Sequence, residues 1–100
     1  MANFKFTNKA VFDSTQIWNY TLKKWSEGQA DRYYHMLIDN CKEIAINPDL
    51  GKNYYGVTAN LLGFTAGRHI IFYRKISENE IEITRILHEQ RDIENRINDK

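Results

Sequence analysis

The sequence predicts an α+β domain, an antiparallel β-sheet with an N-terminal αα-hairpin packed on one face, and three observations predict it. Residues 69–73, HIIFY, form an unbroken aromatic and β-branched run, the pattern of a central strand buried on both faces. After a polar break at Ser77 to Glu80, Ile81-Glu82-Ile83 alternates with period two and runs into Ile86 and Leu87, as in a strand that starts exposed and ends buried. Upstream, two segments with three-four apolar spacing are joined by only a few residues, so they must run antiparallel and pack on the sheet. The predicted order is β-α-α-β-β-β with a short C-terminal helix, in one domain spanning residues 1–100.

Taken in order, Phe4-Lys5-Phe6-Thr7 alternates and reads as an edge strand that must pair with the C-terminal strands, with Thr7 capping the helix behind it. Over residues 8–27, Ala10, Val11, Ile17, Trp18, Leu22 and Trp25, with Ser14 and Thr21, fall in a stripe about 140° wide, and Gly28 is placed to end that helix. Ala30, Tyr33, Tyr34, Leu37, Ile38, Cys41, Ile44 and Ala45 make a second stripe, stopped by Pro48. Residues 49–56 read as a loop, 57–64 as a weaker strand and 65–67 as the turn into the central strand. Over 89–98 only Ile93 and Ile97 are apolar, which predicts a short terminal helix.

Net charge is +1, from 14 basic and 13 acidic residues. A dedicated nucleic-acid binder carries a basic excess on one face. Here Arg68, Arg74, Lys75, Arg85, Arg91 and Arg96 crowd the final third but are diluted by seven carboxylates there. No run approaches the roughly 20 apolar residues of a membrane span. A single cysteine makes no internal disulfide and the N-terminus carries no apolar signal core, so a cytoplasmic setting is expected.

No metal or cofactor site is predicted. Cys41 reads as a core thiol, and His35 with Asp39 as a solvated pair on the outer face of the second helix. Most aromatics fall on core stripes, Trp18, Trp25, Tyr33 and Tyr34 among them; Tyr54-Tyr55 is the adjacent pair expected to be exposed and suits a protein contact.

Several motifs give the chain a family likeness. Gly67, His69, Ile71, Phe72, Tyr73 and Arg74 fit a G-x-H-x-I-F-Y-R strand. Ile83, Arg85, Ile86, Leu87, His88 and Asp92 fit I-x-R-I-L-H-x-x-M-D, with Arg91 in place of Met. Ala10, Asp13, Ile17, Tyr20 and Trp25 fit the first helix, with Ser14 and Ser26 replacing the usual Leu and Gly. Gln29, Ala30, Tyr33 and Leu37 fit the second, and Asn47-Pro48-Asp49-Leu50-Gly51 its N/H-P-x-x-G stop. From residue 10 to residue 92 the chain resembles toxins of ParE type, in the RelE/ParE superfamily of type II toxin-antitoxin systems.

The resemblance implies a RelE/ParE-like fold and a toxin that poisons DNA gyrase by protein contact rather than by catalysis. It also implies a hetero-oligomer with a ParD-like antitoxin, which lays a helix beside the helical hairpin and adds an extended segment at the sheet. Val11, Trp18, Leu22 and Ile38, at the margins of the stripes, are the candidate antitoxin contacts. Arg68, Arg74, Arg85, His88 and Arg91 are the candidate target contacts. No cofactor, membrane or sequence-specific nucleic-acid partner is implied.

Superfamily members of RelE type instead cleave messenger RNA on the ribosome, which needs a base, an acid and cations. Here His88, Arg85 and Arg68 are the candidates. His88 reads either as an acid/base or as a hydrogen-bonded residue at a strand end, and Arg85 either as a phosphate clamp or as the structural partner of a carboxylate such as Asp13. A toxin-like binding module without activity is the third reading.

Overall fold

The computed structural model describes residues 2–53 and 61–89. β1 (Asn3–Phe6) leads through Thr7 into α1 (Asn8–Lys24), and α2 (Glu27–Ile46) returns antiparallel to it. A 3-10 turn (Pro48–Leu50), β2 (Lys52–Asn53), β3 (Leu62–Ala66), β4 (His69–Ser77) and β5 (Glu80–His88) complete the order. The sheet runs β1-β5-β4-β3-β2, antiparallel throughout except at the β1–β5 edge, where the two strands are parallel. β1 thus finds its partner among the C-terminal strands, as its brevity requires. The predicted terminal helix lies beyond Glu89, outside the described residues.

Both helices start where side-chain oxygens replace missing backbone acceptors. Thr7 Oγ1 accepts from the Ala10 N–H (3.1 Å), and Ser26 Oγ from the Gln29 N–H (3.1 Å). The second cap corrects an expectation: Gly28 does not end α1 but lies in the first turn of α2. The break falls at Trp25 and Ser26, where Ser26 begins an S-x-x-Q start signal that outweighs the glycine.

The helix faces need a second correction. On α1 the residues buried against the sheet are Ala10, Asp13 and Thr21, with Ile17 half-buried between them. Val11 (50% exposed), Leu22 (40%) and Trp25 (69%) point away. The apolar stripe therefore straddles the packed line instead of forming it. Tyr34 is also exposed, so neither it nor Trp25 is a core residue. On α2 the buried line is Ala30, Leu37, Cys41, Ile44 and Ala45, and Ile38 sits at its margin. His35 leans toward Asp31 rather than Asp39, its Nδ1 2.9 Å from the Asp31 carbonyl, because helical side chains point back toward the N-terminus.

β4 is buried on both faces from Ile70 to Tyr73. Ile71 and Tyr73 join Ile81, Ile83 and Ile86 against Leu37, Cys41 and Ile44 of α2, whereas Ile70, Phe72 and Leu87 cluster with Leu61 on the other face. Two irregularities interrupt the β4–β5 ladder. Lys75 pairs with Ile81 and Ser77 with Glu80, leaving Ile76 extra on β4; Phe72 pairs with Arg85 and Tyr73 with Ile83, leaving Thr84 extra on β5. The second shift lets Ile83 and Ile86, three apart, face the same core.

The expected turn at 65–67 is displaced: Thr65 and Ala66 continue β3, and Gly67-Arg68 is a two-residue hairpin loop with Gly67 at φ +62°. Residues 57–60 lie outside the described segment, and β2 is a short strand within the predicted loop. Tyr73, fully buried, ties that region down. Its hydroxyl donates to the Pro48 carbonyl (2.6 Å) and accepts from the Gly51 N–H (2.9 Å).

Candidate functional site

β1 ends at Phe6, four residues into the nine of β5, and what replaces it along the rest of β5 builds the site. Thr7 donates its hydroxyl proton to the Thr84 carbonyl (2.9 Å), and α1 then runs along the open edge. Asp13 reaches that edge. One carboxylate oxygen accepts both the Ile86 N–H (3.0 Å) and Arg85 Nε–H (2.7 Å), and the other accepts Arg85 Nη2–H (3.0 Å). A side chain thus takes over where a strand is missing, and the bidentate arginine neutralises its charge at a site where Asp13 is 7% exposed.

Above this pair lies a cleft of about 950 Å³ between α1, the start of α2 and the β4 end of the sheet. Phe12, Tyr20, Lys24 and Trp25 wall it from α1, Tyr33 from α2, and Arg68, His69 and His88 from the sheet. His69 and His88 are direct cross-strand partners whose rings meet edge to face at 5.4 Å. Tyr33 completes the row. Its hydroxyl shares a 2.6 Å hydrogen bond with His69 Nδ1 and accepts the Arg68 N–H at 3.0 Å. Burial pushes the Tyr33 phenol up, opposed by that N–H and by the Arg68 charge. A Cβ at Gly67 would press on the Tyr33 hydroxyl and Met36, so the glycine permits both the positive φ and the close approach.

Of the candidate target contacts, Arg68 and His88 meet in this cleft, and Arg85 lies beneath it with its guanidinium held on Asp13. Arg74 does not join them. It sits five residues from His69, about 17 Å along β4, and its Nε is 2.8 Å from a Glu82 carboxylate oxygen. Arg91 lies outside the described residues, as do Tyr54 and Tyr55.

The sequence reading assigned no role to Tyr33 or His69 here. Counting back from the Ser77–Glu80 turn places His69 opposite His88, because the two extra residues fall on different strands and cancel; Tyr33 carried no comparable signal.

The antitoxin-contact candidates occupy another surface. Val11 and Trp18 line a shallow groove with Ser14, Thr15, Asp31, Tyr34 and His35, floored by an edge-to-face Trp18–Tyr34 pair at 6.3 Å. Leu22 is exposed and Ile38 half-buried. Cys41 is buried, and burial pushes its thiol up to about 12, which keeps it protonated and unreactive. Among the described residues no cluster of three His, Cys, Asp or Glu is arranged to hold a metal, and no helix is long and apolar enough to cross a membrane.

Comparison with known proteins fits this architecture. A Toxin ParE1 of Mycobacterium tuberculosis is 30% identical over 79 residues, covering 79% of this chain and 81% of the relative. A Toxin ParE1 of Caulobacter vibrioides is 29% identical over 89 residues, 89% of this chain and 91% of the relative. A solved structure described as a chromosomal ParDE TA system from P. aeruginosa superposes with a TM-score of 0.74 at 19% identity, covering 88% of this chain and 96% of that one, and shares the fold. The family model for the ParE toxin of the type II toxin-antitoxin system parDE matches residues 4–93, and the chain belongs to that family.

Proposed function

We propose that this protein arrests growth by holding DNA gyrase through a protein contact, without chemistry of its own, and that a ParD-like antitoxin in the same cytoplasm silences it by covering the outer face of the helical hairpin. Membership of the ParE toxin family supports the reading, as does a structural neighbour described as a ParDE system. The observation that carries the non-catalytic part is the Asp13–Arg85 pair. A phosphate clamp needs a cation it can offer to substrate, and Arg85 already gives Nε and Nη2 to a buried carboxylate. Arg74, the other strand arginine, is about 17 Å along β4.

The test is purified protein in two assays, gyrase with supercoiled DNA and ATP, and translating ribosomes with labelled message. Gyrase-dependent DNA breaks or lost supercoiling that persist in His88→Gln are expected. A general acid/base is worth about 10²–10⁴ in rate, so message cleavage abolished by His88→Gln, with gyrase untouched, would replace this reading with the RelE-type nuclease.

A further inference from the structure

α1 presents two recognition surfaces that share no residue. The outer groove uses Val11, Ser14, Thr15 and Trp18, and the cleft uses the neighbouring line from Phe12 to Trp25. The cleft has its own chemistry. Two of its aromatic walls are open, Phe12 at 58% and Trp25 at 69% exposure. Lys24 and Arg68 stand exposed at its rim and enter no ion pair among the described residues. Among the described residues the one carboxylate lining it, Asp13, is spent on Arg85 and the Ile86 N–H. Glu89, exposed just past β5, offsets part of the rim charge. Even so, the cleft combines apolar rings with cations on a chain whose net charge is only +1.

We infer that this cleft is a second protein-docking site, shaped for an acidic segment bearing an aromatic or large apolar side chain and supplied by a partner other than the one on the outer groove. The inference rests on the reading that the outer groove receives the antitoxin. Charge complementarity selects the occupant: Lys24 and Arg68 meet carboxylates while Trp25, beside Lys24 at the end of α1, takes the apolar side chain. A nucleic-acid strand fits less well, because the two rim cations among the described residues, partly offset by Glu89, supply too few phosphate contacts and Arg85 is held on Asp13. Separate surfaces would let the antitoxin grip the toxin without first displacing what lies in the cleft.

The test uses the full chain alone and a fluorescent acidic peptide, acetyl-Glu-Asp-Phe-Glu-Asp-amide, followed by polarisation. Saturable binding that weakens with salt is expected. The double variant Lys24→Glu/Arg68→Glu should lose about tenfold or more in affinity, Trp25→Ala should lose affinity as well, and Val11→Ala/Leu22→Ala should bind as wild type. Circular dichroism checks that each variant is folded, which its exposed positions favour. The inference is overturned by absent binding to wild type, by equal binding to the charge-reversed variant, by equal losses in the outer-groove variant, or by tighter competition from a single-stranded oligonucleotide. Antitoxin binding that survives Val11→Ala/Leu22→Ala would overturn the outer-groove reading instead, and because the peptide assay contains no antitoxin the two failures are told apart.

Discussion

Asp13 does for β5 what a sixth residue of β1 would have done, and it brings a charge that must itself be matched. Truncating it strands two groups at once, the Arg85 guanidinium and the Ile86 N–H. Removing one partner of such a buried pair typically costs about 3–5 kcal/mol, since the remaining charge stays desolvated. Asp13→Ala should therefore lose about that much in urea unfolding, and Asp13→Asn, which keeps an acceptor for the N–H, should lose less. Arg74→Ala is the contrast. Its side chain is 60% exposed in the pair with Glu82, where solvent screening leaves about 1 kcal/mol or less. Equal losses at Asp13 and Arg74 would mean that the edge is not held as described.

The second helix shows how one element divides its labour. Leu37, Cys41 and Ile44 are at most 2% exposed, whereas Ile46, two residues beyond Ile44, is 74% exposed. Leu37→Asp places an uncompensated charge in the core and should consume several kcal/mol of a total of about 5–15 kcal/mol, enough to unfold or aggregate the domain. Ile46→Asp should change stability by no more than about 0.5 kcal/mol. Ile38, at the margin, should fall between them. Thermal unfolding of the three variants ranks them, and a large loss at Ile46 would show that the face is misassigned. The start of the same helix depends on a smaller term: Ser26→Ala removes the acceptor for the Gln29 N–H and should cost about 1 kcal/mol.

For the whole molecule the buried acids set an alkaline limit. Burial raises the Cys41 thiol from 9.0 to about 12 and raises the phenols of Tyr33 and Tyr73 above 10.0. Each folded-state value lies above the unfolded one, so the native state holds more protons in that window and stability falls as pH rises. The loss should begin near pH 9, where the unfolded thiol ionises, and steepen above 10 as the phenols join it. One proton difference is worth about 1.4 kcal/mol per pH unit. Denaturant midpoints across that range check the slope, and Cys41→Ala should remove its first part. A slope that starts only above pH 10 in the wild type would contradict the burial of the thiol.

The sequence by itself determined the αα-hairpin, the doubly buried β4, the β4–β5 hairpin and the β1 pairing, because each is written in local periodicity and punctuation that operate over a few residues. It also carried the family, since motifs in order from Ala10 to Asp92 survive without any knowledge of contacts. The Asp13–Arg85 partnership was legible as one of two readings; only the structure supplied the reason, an edge left open where β1 stops. Which side of α1 is packed was decided by tertiary structure, because buried Asp13 and Thr21 look polar in a stripe search and exposed Trp25 looks apolar. So was the cleft. Tyr33, Arg68, His69 and His88 are brought together by a two-residue turn, two cancelling register shifts and a helix start set by Ser26, and convergence of residues far apart in the chain has no signature in the spacing of any one segment.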